Sequence, residues 1–249
     1  MRKIILAIGL LFISVLWSTL PRVSTNANES IENQSKLSDK NIVFLGDSLT
    51  AKNGTKKYID IIAQETGANC YNFGQNESTI AENNNAKYGA FVDRYKDIIK
   101  EYPRDYFDII VIFGGTNDYA MNVPIGDFST DRKTFIGALG ETIYNMQAMY
   151  PKAKIVLMTP LIATYGDNVF DYTKNATGAL LGDYRKAIRD ISELYGCIIY
   201  DTNKYSGLNP NNGYMFEKYY SNKGDGVHPN EDGHKRIAIP LINLLNGLF

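Results

Sequence analysis

From residue 41 onward, short apolar runs alternate with stretches whose apolar positions recur every three or four residues. Asn41–Gly46 (NIVFLG) is an apolar, β-branched run of strand length. Residues 56–66 (KKYIDIIAQET) carry helical spacing and stop at Gly67, a natural helix terminator. The run 70–74 (CYNFG) predicts a second strand, and the segment 90–102 a helix ending before Pro103. FDIIVIF at 107–113 is almost uninterrupted, as in a central strand covered on both faces. A helix over 134–150 then precedes a fourth strand at 154–158, and a helix over 183–195 precedes a fifth at 197–201. The tail 229–248 predicts a closing helix that Pro240 should bend or interrupt.

Strand and helix alternating five times predicts a doubly wound parallel α/β sheet in one domain over 41–249. Gly/Asn/Tyr-rich stretches at 119–130, 161–175 and 203–227 follow strand ends. Open α/β sheets place their ligand-binding loops there. No internal repeat or linker divides the chain.

The segment before residue 41 is different in kind. Met1-Arg2-Lys3, an apolar run from Ile4 to Leu20, Pro21 and the small-residue site Thr25-Asn26-Ala27 predict a secretory signal cleaved after Ala27. The competing reading is an uncleaved membrane anchor, since the run nears the ~18 residues of a spanning helix. No cysteine follows the run to carry a lipid anchor. Residues 28–40 carry no periodicity and predict a flexible lead-in. The expected protein is therefore extracellular, with no stable membrane insertion once the signal is removed.

Composition narrows the chemistry. The 249 residues are 44% hydrophobic and 21% charged, ordinary for a folded domain. The net charge of −1, which becomes −4 without residues 1–27, gives no basic stripe for nucleic acid. With two histidines and two cysteines, a four-ligand Cys/His zinc site is excluded. Any catalytic imidazole must be His228 or His234.

Four short pieces carry the candidate chemistry: Gly46-Asp47-Ser48-Leu49, Asn72-Phe73-Gly74, Gly114-Gly115-Thr116-Asn117-Asp118 and Asp225-Gly226-Val227-His228-Pro229. The carboxyl edge of a parallel sheet would gather them into one crevice. Acyl transfer needs what they offer. A serine hydroxyl requires a base, for which His228 is the natural candidate, and Asp225 three residues earlier could hold its Nδ1 proton. A developing oxyanion needs preorganised donors, here backbone N–H groups at the first two turns and the Asn117 amide. A P-loop would need a different glycine spacing from the one running from Gly46 to Lys56, and the Rossmann G-x-G-x-x-G is missing after the first strand.

GDSL at 46–49, GGTND at 114–118 and DGVHP at 225–229, in that order, resemble the SGNH/GDSL hydrolase family. The resemblance spans roughly residues 41–245 and implies a flavodoxin-like three-layer α/β/α sandwich with a five-stranded sheet in the order 2-1-3-4-5. Position by position, it makes Ser48 the nucleophile and a backbone oxyanion donor, Asn117 a side-chain oxyanion donor, His228 the base and Asp225 its orienting acid. It implies no cofactor and no metal. The second block departs from the family's Asn-x-Gly-x-x-Gly: Glu77 stands at the second glycine. The second backbone donor is accordingly either Gly74 or Glu77, with the Glu77 side chain expected to meet a polar or cationic substrate group.

The remaining residues are assigned by their surroundings. Asp47 should bond turn backbone, and Asp118 should cap a turn or helix. His234 is expected to be a packing or surface residue. Cys70 and Cys197, on opposite sheet edges roughly 19 Å apart, should be buried free thiols. Among the 18 tyrosines, those at 205, 214, 219 and 220 suggest either loop packing or an aromatic wall for a sugar or acyl group, with Tyr119 and Tyr214 as substrate-binding candidates. The leading expectation is a secreted serine esterase acting on a small-molecule or carbohydrate ester with a short acyl group. A lipolytic acylhydrolase, a sugar O-acyltransferase and an inactive binding module are the alternatives.

Overall fold

The computed structural model of the protein describes residues 35–84, 89–129, 131–222 and 225–249. The expected signal segment lies outside the described residues. In chain order the elements begin with β1 (Asn41–Gly46), α1 (Tyr58–Thr66), β2 (Asn69–Gly74), α2 (Phe91–Glu101), β3 (Ile109–Phe113) and α3 (Thr116–Ala120). They continue with α4 (Phe135–Met149), β4 (Lys154–Met158), β5 (Thr164–Tyr165), β6 (Asn168–Val169), α5 (Leu181–Tyr195) and β7 (Ile198–Tyr200). The last are α6 (Thr202–Ser206), α7 (Gly213–Tyr219), β8 (Tyr220–Asn222), β9 (Asp225–Pro229) and α8 (Glu231–Asn246).

Five strands pair in parallel in the order β2-β1-β3-β4-β7. This is the 2-1-3-4-5 order of a flavodoxin-like sandwich, with β7 as the fifth long strand. The uninterrupted apolar runs are explained by burial on both faces. Ile42 and Phe44 of β1, with Ile109, Val111 and Phe113 of β3, face one apolar layer, while Val43, Leu45, Ile110 and Ile112 face the other. This alternation is the two-residue period of a pleated strand. Helices α1 and α8 cover the first layer, and α2, α4 and α5 cover the second.

Three expectations change. The flexible lead-in does not extend to residue 40. Leu37 is wholly buried, Ser35 Oγ bonds Asn246 Oδ1 at 2.9 Å, and Lys40 pairs with Asp108 at 3.2 Å. Helix α8 runs without interruption through Pro240, because the buried face of Ile237, Ala238, Leu241 and Leu245 lies on both sides of the proline and holds the two halves in line. The stretches expected as loops at 161–175 and 203–227 contain the β5–β6 hairpin and the elements α6, α7 and β8. These build a second, antiparallel sheet in the order β6-β5-β9-β8. Short polar strands of two to five residues give too little periodic signal to be read from sequence. Among the described residues no helix is long and apolar enough to cross a membrane.

Cys70 sits in β2 and Cys197 precedes β7, at the two edges of the large sheet, and both are unpaired. They are half-buried rather than fully buried, since edge strands are covered less completely. Burial pushes both thiols up to about 12. Titration of the unfolded, unreduced protein with a thiol reagent is expected to count two thiols, and the folded protein to react far more slowly. A count of zero would show a disulfide that this sheet order forbids.

Candidate active site

The chain leaves β1 at Gly46 and doubles back at once. Asp47 is buried, and its Oδ1 accepts the Leu49 N–H at 2.9 Å while its carbonyl accepts from Thr50 and Ala51. This turn lifts Ser48 to the surface, half-exposed. It closes only because the neighbouring strand ends lack side chains. A Cβ on Gly46 would lie 2.0 Å from Thr50 Oγ1, and one on Gly74 would lie 2.4 Å from Ala51 N. Burial raises the Asp47 carboxyl to about 6, opposed by the Leu49 hydrogen bond and by the charges of His228, Arg94 and Lys57.

His228 reaches Ser48 from the second sheet. Its Nε2 lies 2.9 Å from Ser48 Oγ, and its Nδ1 lies 2.8 Å from Asp225 Oδ2. The other Asp225 oxygen accepts the backbone N–H groups of Val227 (2.9 Å) and His228 (3.2 Å), which locks the carboxylate in one orientation. Burial works to raise this carboxyl, but the His228 hydrogen bond and charge and the backbone donors outweigh it, and the group is held below the usual carboxylate range. Asn230 fixes the end of the strand: its Oδ1 caps α8 at Gly233 and its Nδ2 bonds the Lys218 carbonyl.

Asn117 enters from the first turn of α3, whose N-cap is Gly115. One amide hydrogen of Asn117 is donated to the Ser78 carbonyl at 3.0 Å, leaving the other for a ligand. Asp118 is fully buried and accepts from the N–H groups of Ile80 and Ala81. The expected local cap is thus a long-range clamp between α3 and the loop after β2. Burial raises its carboxyl to about 7, opposed by those N–H groups.

The two candidates for the second backbone donor are separated by their bonding. The Gly74 N–H is taken by Asn72 Oδ1 at 2.8 Å. The N–H groups of Ser48 and Glu77 have no acceptor among the described residues. Glu77 has φ +56°, a left-handed conformation that costs an L-residue roughly 1–2 kcal/mol and that a glycine adopts freely. That explains why a glycine suits this place and why Glu77 nevertheless presents its N–H there.

A cleft of about 370 Å³ opens over Ser48, His228, Asp225 and Asn117, with Asn53, Asn76, Glu77 and Val227 completing its walls. Neither proposed substrate-binding tyrosine belongs to it. Tyr119 is buried against Phe170 and Tyr184, its hydroxyl donating to the Thr173 carbonyl. Tyr214 is exposed on α7 beside Lys218, and Tyr205 stacks on Tyr200. Tyr219 lies against Arg236 of α8 and Tyr220 is buried in β8, so none of the four walls the cleft, because 203–222 folds into its own elements. Among the described residues no group of three His, Cys, Asp or Glu is placed to hold a metal ion.

Arg94, which sequence reasoning passed over, organises the cleft from below. Its guanidinium donates to the Phe73 carbonyl (2.5 Å), the Gly46 carbonyl (2.9 Å) and Ser78 Oγ (3.0 Å). A signal was present: with Phe91, Tyr95 and Ile98, it occupies the apolar stripe of α2, where a charge needs buried partners. Asn53 and Asn76 carried no signal beyond being loop amides.

A parallel 2-1-3-4-5 sheet, with serine, imidazole and carboxylate aligned at its carboxyl edge, defines an SGNH-type α/β protein. The chain belongs to the GDSL-like lipase/acylhydrolase family, whose profile matches residues 44–236. A protein from Lactobacillus plantarum is 29% identical, superposes with a TM-score of 0.73, and is matched over 85% of this chain and 99% of its own. A possible lipase from Chitinophaga pinensis (20% identity, TM-score 0.63, 84% of this chain and 98% of its own) shares the fold. So does Est24, a carbohydrate acetylesterase from Sinorhizobium meliloti (14%, 0.59, 85% and 100%). A search of curated protein sequences found no match.

His234 lies wholly buried in α8, its ring stacked on Tyr58 at 6.2 Å, and neither ring nitrogen has a partner among the described residues. Burial, aided by the charges of Lys57 and His228, lowers it to about 3. The unfolded chain takes up this proton near 6.5, so the neutral ring's contribution is complete above that pH and is lost as pH falls towards 3. His234→Phe is expected to flatten the decline in stability between pH 6.5 and 4, measured by urea denaturation. The raised Asp47 and Asp118 carboxyls act in the opposite sense, losing stability as pH rises, and are common to both proteins. An unchanged pH slope would contradict the assignment.

Proposed function

We propose that the protein is an exported serine ester hydrolase that removes a short acyl group, acetyl foremost, from a hydroxyl-rich alcohol such as a carbohydrate. The observation that carries this reading is the unbroken line from Ser48 Oγ through His228 to Asp225, opening into a polar cleft. His228 Nε2 takes the Ser48 proton as Oγ attacks the ester carbonyl carbon, while Asp225 keeps the Nδ1 proton in place. The oxyanion is received by the N–H groups of Ser48 and Glu77 and by the free Asn117 amide hydrogen. Collapse expels the alcohol with the proton from His228. Water, deprotonated by the same imidazole, then releases the acid and restores Ser48. The chain's own groups suffice for every step.

The lining supports the choice of substrate. Asn53, Asn76, Glu77 and Asn117 are polar, and Val227 is the one aliphatic side chain in the wall. A long acyl chain would find little apolar surface there, whereas hydroxyl groups would find amide partners. The basic-then-apolar amino-terminal segment supports export.

Ser48→Ala is expected to lower p-nitrophenyl acetate hydrolysis by about 10³-fold or more, as loss of a triad member does. The unsubstituted protein is expected to prefer acetate to octanoate. Equal trace activity in both proteins would favour a binding role. Glu77→Gln is expected to raise kcat/KM for the anionic ester p-nitrophenyl succinate severalfold relative to p-nitrophenyl acetate, by removing a like charge from the rim. An unchanged ratio would mean that the Glu77 carboxylate takes no part in selection.

A further inference from the structure

A second hollow, of about 260 Å³, shares two of its walls with elements of the Ser48 cleft. The first shared element is α3. Asn117 in its first turn faces the cleft, while Tyr119 and Ala120 at its end line the hollow. Ala120 stands three positions beyond Asn117, on the same side of the helix and about 4.5 Å further along its axis. The second is the β5–β9 pair, in which Tyr165 stands directly opposite Asp225. Side chains directly opposite each other in an antiparallel pair lie on the same face. Tyr165 therefore rises beside Asp225, on the face that carries the imidazole contact, and the residue is 65% exposed. Asn122, Asn168 and Lys174 supply polar groups to the lining, and Phe170 an apolar one. Asn122 Oδ1 is taken by the Ala176 N–H at 2.7 Å, which leaves its NH2 as a donor.

Resting on the ester-hydrolase reading above, we propose that this hollow is the subsite for a saccharide ring in the alcohol part of the ester, one ring beyond the sugar that carries the acyl group. An exposed tyrosine face offers an apolar platform for the C–H face of a pyranose. The amide of Asn122 and the Lys174 ammonium are donors for its hydroxyl groups, while Asn168 also meets the Tyr119 hydroxyl. No carboxylate stands among the lining residues to repel a uronic acid, so neutral and acidic rings are both admitted. The bound ring adds affinity for oligosaccharide esters and none for small aryl esters, which end at the cleft.

The test uses binding without turnover. Acetylated xylotetraose is titrated calorimetrically into the Ser48→Ala protein and into the same protein carrying Tyr165→Ala or Lys174→Ala. The expected result is binding that weakens at least fivefold without Tyr165 and about twofold without Lys174. In the active protein, Tyr165→Ala is expected to raise KM for the acetylated oligosaccharide by a similar factor and to leave p-nitrophenyl acetate kinetics unchanged. Equal binding with and without Tyr165, or no binding at all, overturns the subsite. So does a matching loss of p-nitrophenyl acetate hydrolysis, which would make Tyr165 a support for Asp225. Failure of the parent reading shows itself separately, as absence of Ser48-dependent p-nitrophenyl acetate turnover, while the calorimetric arm still reads the hollow.

Discussion

The buried guanidinium of Arg94 is the contact on which the cleft depends. It binds the carbonyl at the end of β1, the carbonyl at the end of β2 and the hydroxyl of Ser78. One side chain on α2 thereby sets the spacing between the Ser48 turn and the loop that presents Glu77. Hydrogen bonds to a charged donor contribute roughly 1.5–3 kcal/mol each, and three of them offset the cost of placing the charge where it is almost without solvent. Burial lowers the guanidinium to about 10, with Asp47 and Asp97 opposing the shift, so it remains charged at neutral pH. The same loop is held from the other side by Asn117 and Asp118. Three residues from two helices thus fix a segment that has no regular structure of its own.

Much of this was legible in the chain. The five long strands were readable because burial on both faces leaves uninterrupted runs such as IIVIF, and their helices because α1 and α5 stop at glycines. The three blocks containing Ser48, Asn117 and His228 were readable because each carries a residue type suited to one step of acyl transfer beside a strand end or a helix start. What escaped has one physical cause. The second sheet is made of short polar strands whose pairing is set by tertiary contacts, so 203–227 looked like loop and its tyrosines looked free to meet a substrate. Tyr119 was misplaced for a related reason. Its position two residues after Asn117 turns it through about 200°, to the opposite side of α3 and into the packing beneath the 161–175 segment.

Charge burial is concentrated beneath the Ser48 turn. Asp47, Lys57 and His234 are all nearly or wholly buried, and Tyr58 bonds Thr50 Oγ1 at 3.1 Å within the same layer. Burial lowers the Lys57 ammonium, with Asp47 and Asp60 acting against it. These groups perturb one another's titration, and the turn that carries Ser48 rests directly on them. A layer of this kind specifies one geometry closely, because each member is costly to leave unmatched.

The placement of Asp225 and His228 on the small antiparallel sheet, with Ser48 at the end of the large parallel one, divides the site between two sheets of one compact unit. The 2.9 Å contact from Ser48 to His228 is a seam between them. Opening of the small sheet alone would part that seam while the long central strands stayed paired, since stability is not uniform across a structure. The chain can therefore lose the alignment of its reactive groups while its circular dichroism still reports an intact fold. Heat inactivation and heat denaturation measure two different joints of this molecule.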